Sequence, residues 1–294
     1  MNRWIWLLLL AWHVSAYGEQ VERFKVLFHN ALNYISPDDM KKGQTKSDFE
    51  KNALFEIWGE ERPDILLLCE IGKEEQLTEI QREMKKRGVD LPFRDWVEGV
   101  DEVRHVALLS RFPVAGRQPH ENLSYELNGR KVAVKRGFLE ADLQVDDNYR
   151  IKIYVVHLKS KMQVRKGAYQ GAGQSEMRAG EAELLREQIE EDMRQNPQVN
   201  LLVAGDLNDT PKSKPVRTLL GGGMKDLAPV DSKGYNGTYY DRRRERYERI
   251  DYIMASQGLW KEYVPDSGKL RDDKTAKIAS DHFPIAAVFL AEEQ

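Results

Sequence analysis

Cysteine is almost missing from this chain: Cys69 is the only one among 294 residues. A lone thiol excludes an internal disulfide, so the fold must rest on its buried core. Apolar neighbours place Cys69 inside that core as a small hydrophobe, the alternative being a catalytic thiol. A Pro/Gly/Ser-rich linker and an internal repeat are also missing, so nothing divides the chain into two domains. Positive charge is not in excess. Lys and Arg number 45 against 48 Asp and Glu, a formal balance of −3, and an average of that kind does not mark a nucleic-acid binder. Past the first residues, no apolar run approaches the roughly 20 residues needed to span a bilayer.

What is present suits a water-facing globular protein: 41% of residues are apolar and 32% charged, enough to bury a sizeable core. At the N-terminus, Arg3 precedes an apolar run from Trp4 to Trp12, followed by Val14-Ser15-Ala16 with its small residues. Residues 1–16 therefore read as a secretory signal peptide, with an uncleaved anchor as the alternative, and residues 22–294 as one domain. The expected location is periplasmic or extracellular, without stable membrane association once the signal is removed. Loss of Arg3 shifts the formal balance from −3 to −4. Charge is unevenly spread, however. Lys159, Lys161, Arg165 and Lys166 form one basic cluster, and Arg242, Arg243, Arg244 and Arg246 another.

Phe24 to Phe28 is strand-prone and ends at His29-Asn30. Ser47-Asp48-Phe49-Glu50 has capping-box spacing, and Phe49, Ala53, Leu54, Ile57 and Trp58 share one helical face. After Pro63, the continuous apolar run Asp64 to Cys69 is a buried strand that ends abruptly at Glu70. Helical patterns cover Glu74 to Arg87 and Ser175 to Gln195. Strand patterns cover Val103 to Ser110, Val132 to Val145, Ile151 to His157, Val199 to Ala204, Ile250 to Ala255 and Pro284 to Leu290. Alternation within 132–143 predicts antiparallel pairing with one wet face. The expected fold is an α/β four-layered sandwich, two packed mainly antiparallel or mixed sheets flanked by helices. Strand ends at Asn30, Glu70, His157, Asp206, Asp251 and Asp281 are expected to converge on one rim.

Gly205-Asp206-Leu207-Asn208 follows a buried strand, and in an extended segment Asp206 and Asn208 point the same way. Phosphodiester hydrolysis needs such a pair: a carboxylate to activate water and a neutral donor to hold phosphate. A plain Asp/Asn turn is the alternative. Ser280-Asp281-His282 leads into the last apolar strand. A carboxylate such as Asp251 on that imidazole would fix its tautomer and stabilise its charged form.

Asn30, Cys69-Glu70, Val155-Val156-His157-Leu158, Gly205-Asp206-Leu207-Asn208, Arg249-Ile250-Asp251 and Ser280-Asp281-His282 together resemble the ordered signature of the endonuclease/exonuclease/phosphatase superfamily, across nearly the whole mature chain. Pancreatic-type deoxyribonucleases, apurinic endonucleases, sphingomyelinases and inositol-polyphosphate phosphatases belong to it. The resemblance implies Glu70 as principal Mg²⁺ ligand, helped by Asn30 and Asp281, with Mn²⁺ as the other candidate ion. It also implies Asp206 as water activator, Asn208 as phosphate holder and His282, oriented by Asp251, as charge stabiliser. His157 resembles the second histidine of the deoxyribonuclease and sphingomyelinase branches. Asn30-Ala31-Leu32-Asn33 departs from the Asn-x-Asp pattern, which leaves one metal or two open. His157-Leu158-Lys159-Ser160-Lys161 and the segment after it resemble bacterial secreted nucleases, and imply Ser160, Lys161 and Arg178 as phosphate contacts, a salt bridge being the alternative for Arg178.

The leading expectation is thus an exported, metal-dependent nuclease acting on DNA or RNA. Arg242, Arg243 and Arg244 would grip phosphates beyond the scissile one. A phosphatase or a lipid phosphodiesterase using the same core is the enzymatic alternative, and a catalytically dead binding module the non-enzymatic one. A lipid-active enzyme calls for an exposed apolar hairpin, whereas Arg117 to Lys131 is polar. No protein partner is inferred.

Overall fold

The computed structural model describes residues 21–40, 44–161 and 173–292. Residues 1–16, read above as a signal peptide, and the basic residues Arg165 and Lys166 lie outside the described residues. In chain order the elements are β1 (Arg23–Tyr34), α1 (Asp48–Glu61), β2 (Ile65–Ile71), α2 (Glu74–Lys86), β3 (Phe93–Val97), β4 (His105–Ser110), β5 (Val114–Arg117), β6 (Ser124–Leu127), β7 (Arg130–Ala133), β8 (Phe138–Gln144) and β9 (Arg150–His157). They continue with α3 (Gln174–Gln195), β10 (Leu201–Asp206), α4 (Lys214–Gly221), β11 (Lys225–Asp226), β12 (Tyr239–Asp241), β13 (Arg246–Glu248), β14 (Asp251–Ala255), α5 (Gln257–Glu262), β15 (Lys269–Leu270), α6 (Lys274–Ala279) and β16 (Ile285–Leu290).

Two six-stranded sheets form the body, in the orders β15-β16-β1-β2-β4-β3 and β11-β14-β10-β9-β8-β5. Both are mixed: β1 runs parallel to β2 and β9 to β10, whereas β16, β4, β8 and β14 pair antiparallel. Strand periodicity sends Ile153, Val155, Leu202 and Ala204 toward the first sheet, and Tyr154, Val156, Leu201 and Val203 outward under α3 and α4. On the far side, Leu54, Ile57 and Trp58 of α1 and Leu77, Ile80 and Met84 of α2 join the core of the first sheet. Each Leu, Ile or Val so buried contributes about 1.5–3 kcal/mol. The layers are helix, sheet, sheet, helix, as the sequence predicted.

Several local expectations change. Ser47 does cap α1: its Oγ accepts from Glu50 N at 3.3 Å while Glu50 Oε2 accepts from Ser47 N at 2.9 Å. Phe49 is not on the buried face, however; it is 69% exposed in the first turn, and Phe55 is buried instead. The stretch 132–145 is not one strand, because Gly137 adopts φ +66° and separates β7 from β8. β8 pairs antiparallel with β5 and β9 as expected, but its outward face is wet only at the far end: Phe138 packs against the α3 layer and Glu140 is buried, while the Asp142 side chain is 38% exposed. The strand expected from Val103 begins at His105. Asp101 Oδ1 accepts from the amides of Val103 and Arg104, both at 3.2 Å, a turn that keeps these residues out of the ladder. Among the described residues, no helix is long and apolar enough to cross a membrane.

Candidate active site

Backbone register assembles the centre. Within the second sheet, His157 of β9 pairs with Asp206 of β10, and Asp206 pairs with Asp251 of β14. Paired residues share a face, and periodicity from Val155, Ala204 and Ile253 turns all three side chains toward the first sheet. Gly205 permits the close approach: a Cβ there would lie 2.2 Å from the Val156 carbonyl oxygen. From the first sheet, Asn30 Nδ2 donates across the gap to Asp206 Oδ2 at 3.1 Å.

His282 enters from the turn between α6 and β16, and that turn is tied down on both sides. Its amide donates to Ser280 Oγ at 3.1 Å, and Ser280 Oγ donates to the Asn30 carbonyl at 2.9 Å. Behind it, Trp58 Nε1 donates to His29 Nδ1 at 3.2 Å, which fixes the His29 proton on Nε2, 3.0 Å from the His282 carbonyl. Burial pushes His29 down to about 3, so it remains a neutral donor. In front, His282 Nδ1 lies 2.9 and 3.0 Å from the Asp251 oxygens, and Nε2 lies 3.8 Å from Asp206 Oδ2. Thr238 Oγ1 accepts from the Asp251 amide at 3.0 Å.

Electrostatics divide the roles. Burial opposes charge on His282, but Asp251, then Asp206, outweigh it and raise the imidazole to about 10. It is a cation at neutral pH. Burial, reinforced by Asp251, raises the Asp206 carboxyl to about 7. His157, with Nε2 3.5 Å from Asp206 Oδ2, is driven well below the ordinary histidine range by burial and then by Arg136 and His282. It is a neutral imidazole. Cys69 is fully buried, its Sγ donates to the Val156 carbonyl at 3.4 Å, and burial holds the thiol well above its ordinary range. The core reading of that cysteine holds, and the catalytic one is removed.

Asn208 corrects a premise. It does not continue the strand but adopts φ +53°, and its amide donates to Asp206 Oδ1 at 2.7 Å. One Nδ2 proton goes to the Leu158 carbonyl at 3.0 Å, and an amide nitrogen carries a second. Asp206 and Asn208 thus share the site through a tight turn and not through strand periodicity.

Glu70 also sits on strained backbone, φ +58°, at the irregularity where β2 slips register between Cys69 and Ile71. Such conformations cost of order 1–3 kcal/mol and gather at functional sites. Its Oε2 accepts from Asn33 N at 3.1 Å. Asn30 pairs with Cys69 in the β1–β2 register, which brings Asn30 and Glu70 together, and the Ser280–Asn30 bond brings Asp281 to the same rim. Asp281 Oδ1 is buried with no hydrogen-bond partner among the described residues. An unpaired buried carboxylate oxygen is costly unless a cation or water completes it, and oxygens from Glu70, Asn30 and Asp281 suit a hard divalent ion. Asp206, Asp251 and His282 also gather ligand atoms within 4.8 Å. Those atoms already serve one another, so the oxygen set fits the ion better.

The flanking basic residues divide. Of the first basic cluster, Lys159 is buried and Lys161 exposed. Arg178 is a buried strut: Nε donates to Asp209 Oδ2 at 3.0 Å and a terminal nitrogen to the Lys159 carbonyl at 3.3 Å. The salt bridge is therefore buried, not on the surface. Ser160 Oγ accepts from Lys159 Nζ at 3.2 Å. Lys161 Nζ reaches Glu248 of β13 at 2.8 Å and joins the two basic segments. Arg242, Arg243 and Arg244 are exposed at the tip of the β12–β13 hairpin. That hairpin is stitched to the His282 turn: Tyr240 N donates to the Asp281 carbonyl at 2.9 Å, Phe283 N to the Thr238 carbonyl at 2.6 Å, and the Tyr239 and His282 rings lie 4.8 Å apart.

The sequence did not single out Lys46, buried, with Nζ on the Ala279 carbonyl and its charge felt by Glu70 and Asp281. It also missed Arg104 and the His29–Trp58 brace. No local signal marks them, because each acquires its place only through contacts across the fold.

The sequence profile of the Endonuclease/Exonuclease/phosphatase family matches residues 43–282. A search of curated proteins finds no match. Among solved structures, an endonuclease/exonuclease/phosphatase from Beutenbergia cavernae DSM 12333 superposes with TM-score 0.65 at 17% identity, covering 92% of this chain and 72% of that one. The human Nocturnin catalytic domain with bound sulfate gives 0.63 at 16% identity over 91% of this chain and 94% of that one. Sphingomyelinase C from Streptomyces griseocarneus gives 0.60 at 16% identity over 92% and 99% respectively. At such identities the likeness is one of fold.

Proposed function

The chain belongs to the endonuclease/exonuclease/phosphatase family, whose members are generally metal-dependent hydrolases of phosphate esters, and on that premise we propose that it is an exported nuclease using Mg²⁺ or Mn²⁺ to hydrolyse DNA or RNA. Asp206 takes a proton from the attacking water. The second Nδ2 proton of Asn208 and the neutral His157 contact the phosphate without adding negative charge. His282, kept cationic by Asp251, neutralises the charge that builds on the phosphoryl oxygens in the transition state. Glu70, Asn30 and Asp281 would hold the divalent ion, which would supply Lewis-acid polarisation of the phosphate.

The observation that favours a polynucleotide over a compact phosphate ester is the arginine hairpin hung on the His282 turn. Among the described residues, Arg244 shares Asp241 and Glu248 at 3.5 Å each, while Arg242 and Arg243 form no ion pair. Free guanidiniums beside a phosphodiester centre offset the acidic average locally, and each phosphate they grip releases counterions. Replacing Arg242, Arg243 and Arg244 together by Ser is expected to raise KM for long DNA relative to KM for a small aryl diester, and to flatten the salt dependence. An unchanged KM ratio and salt slope would count for a phosphatase or lipid phosphodiesterase. Export rests on the segment 1–16. Sequencing the N-terminus of the secreted protein should find a start after Ala16, and retention of Met1 in the recovered protein would refute cleavage.

A further inference from the structure

Arg104 stands in the active site with no role in the reaction derived above. The Asp101 turn before β4 keeps Arg104 out of the ladder, and its guanidinium reaches the Glu70 rim. Its Nε donates to Asn33 Oδ1 at 3.0 Å and lies 3.8 Å from Glu70 Oε2. Asn33 holds the same Glu70 oxygen through its amide, so Asn33, Arg104 and Glu70 form one closed set on the rim. Leu32 and Asn33 accept left-handed backbone, φ +49° and +55°, to make this arrangement. The strain of two non-glycine residues shows that surrounding packing enforces the geometry. The other end of the guanidinium is open. One terminal nitrogen is 3.9 Å from Met40 Sδ, the other has no partner among the described residues, and the side chain remains 27% exposed. The same charge is felt at His157 across the site.

A fixed cation 3.8 Å from Glu70 has two consequences. It occupies, electrostatically, ground that a second divalent ion would need, in a chain whose Asn30-Ala31-Leu32-Asn33 segment supplies no carboxylate there. It also presents free N–H donors beside the ion-binding carboxylate, and guanidinium geometry matches phosphate oxygens. We propose that Arg104 is a catalytic residue that holds a non-bridging oxygen of the scissile phosphate and stands where a second metal would stand, so that the protein works with one divalent ion per chain. The proposal rests on the reading of the site as a metal-dependent phosphodiesterase.

The test pairs calorimetric Mn²⁺ titration of the metal-stripped full chain with turnover of a small aryl phosphodiester. The wild-type protein should bind one Mn²⁺. Arg104→Gln should bind it on the order of tenfold more tightly, because a like charge beside Glu70 is gone, and yet turn over roughly 10²-fold or more slowly. Arg104→Lys, which keeps the charge without the fork, should leave metal affinity near wild type and recover part of the rate. A residue that merely braced the loop could slow turnover but would not tighten the metal. Two Mn²⁺ per wild-type chain, or wild-type turnover in Arg104→Gln, would overturn the proposal while leaving the phosphodiesterase reading in place. No Mn²⁺ binding by the wild-type protein would overturn both. Thermal melting of each variant separates loss of fold from loss of function.

Discussion

His282→Ala and Asp206→Asn should each lower turnover by roughly 10²–10⁴-fold, with little change in KM for a small diester. The cause is a chain of short contacts: Asp251 holds His282 at 2.9 Å, and His282 Nε2 faces Asp206 Oδ2 at 3.8 Å. Removing the base leaves water unactivated, and removing the cation leaves transition-state charge unopposed. Since the two act on one event, the double variant should lose far less than the product of the single losses. The pH profile carries a further sign. Turnover needs Asp206 ionised and His282 protonated, so it should fall as pH drops through about 7 and again as pH rises through about 10. Asp251→Asn removes the main influence that raises His282, so the alkaline limb should move down toward the ordinary 6.5. Stability follows the same proton. Folded His282 binds it more tightly than the unfolded chain does, so its contribution is complete below 6.5 and is lost as pH rises through about 10. Near-wild-type rates in either single variant, measured with melting curves as controls, would remove that residue from the mechanism.

The centre was legible in the sequence because its residues sit where apolar runs stop. Glu70 follows a run of buried aliphatics, Asp206 and His157 end theirs, and Asp251 begins one, so strand ends alone predicted a common rim. The four layers were legible for the same reason: continuous apolar strands need cover on both faces. What escaped depends on contacts remote in sequence. His29 meets the His282 carbonyl across 253 positions, and Arg104 meets Asn33 across 71. Phe49 matched a helical face by spacing, but it lies in the first turn of α1 and stays 69% exposed. Lys159 counted with the basic cluster by sequence, but it is buried, and Glu181 Oε2 of α3 accepts its amide at 2.6 Å. Asn208 was placed correctly for the wrong backbone reason. An Asp-x-Asn spacing reads equally as strand or turn, and only its φ of +53° decides.

Glu70→Gln should weaken divalent-ion binding sharply and lower turnover by at least about 10²-fold at metal concentrations that saturate the wild-type protein. The amide keeps the length and the acceptor for Asn33 N, so the strained backbone at φ +58° and the Asn33 contact survive. What disappears is the negative charge. That loss separates metal binding from shape, since a hard cation that keeps most of its water depends on one or two carboxylates for its affinity. Asp281 Oδ1, buried and unpaired among the described residues, cannot compensate alone, and the Asn30 oxygen is neutral. Arg104 sharpens the contrast. With Glu70 neutral, its guanidinium at 3.8 Å becomes an unopposed cation facing the incoming ion, so Glu70→Gln and Arg104→Gln should shift Mn²⁺ affinity in opposite directions. Both should nonetheless slow the reaction. Combining them should restore part of the metal affinity lost in Glu70→Gln without restoring turnover, because neither the polarising ion in its place nor the phosphate contact returns. Full activity of the wild-type protein in excess chelator, or a Glu70→Gln variant with wild-type metal affinity, would show that the ion is not held here.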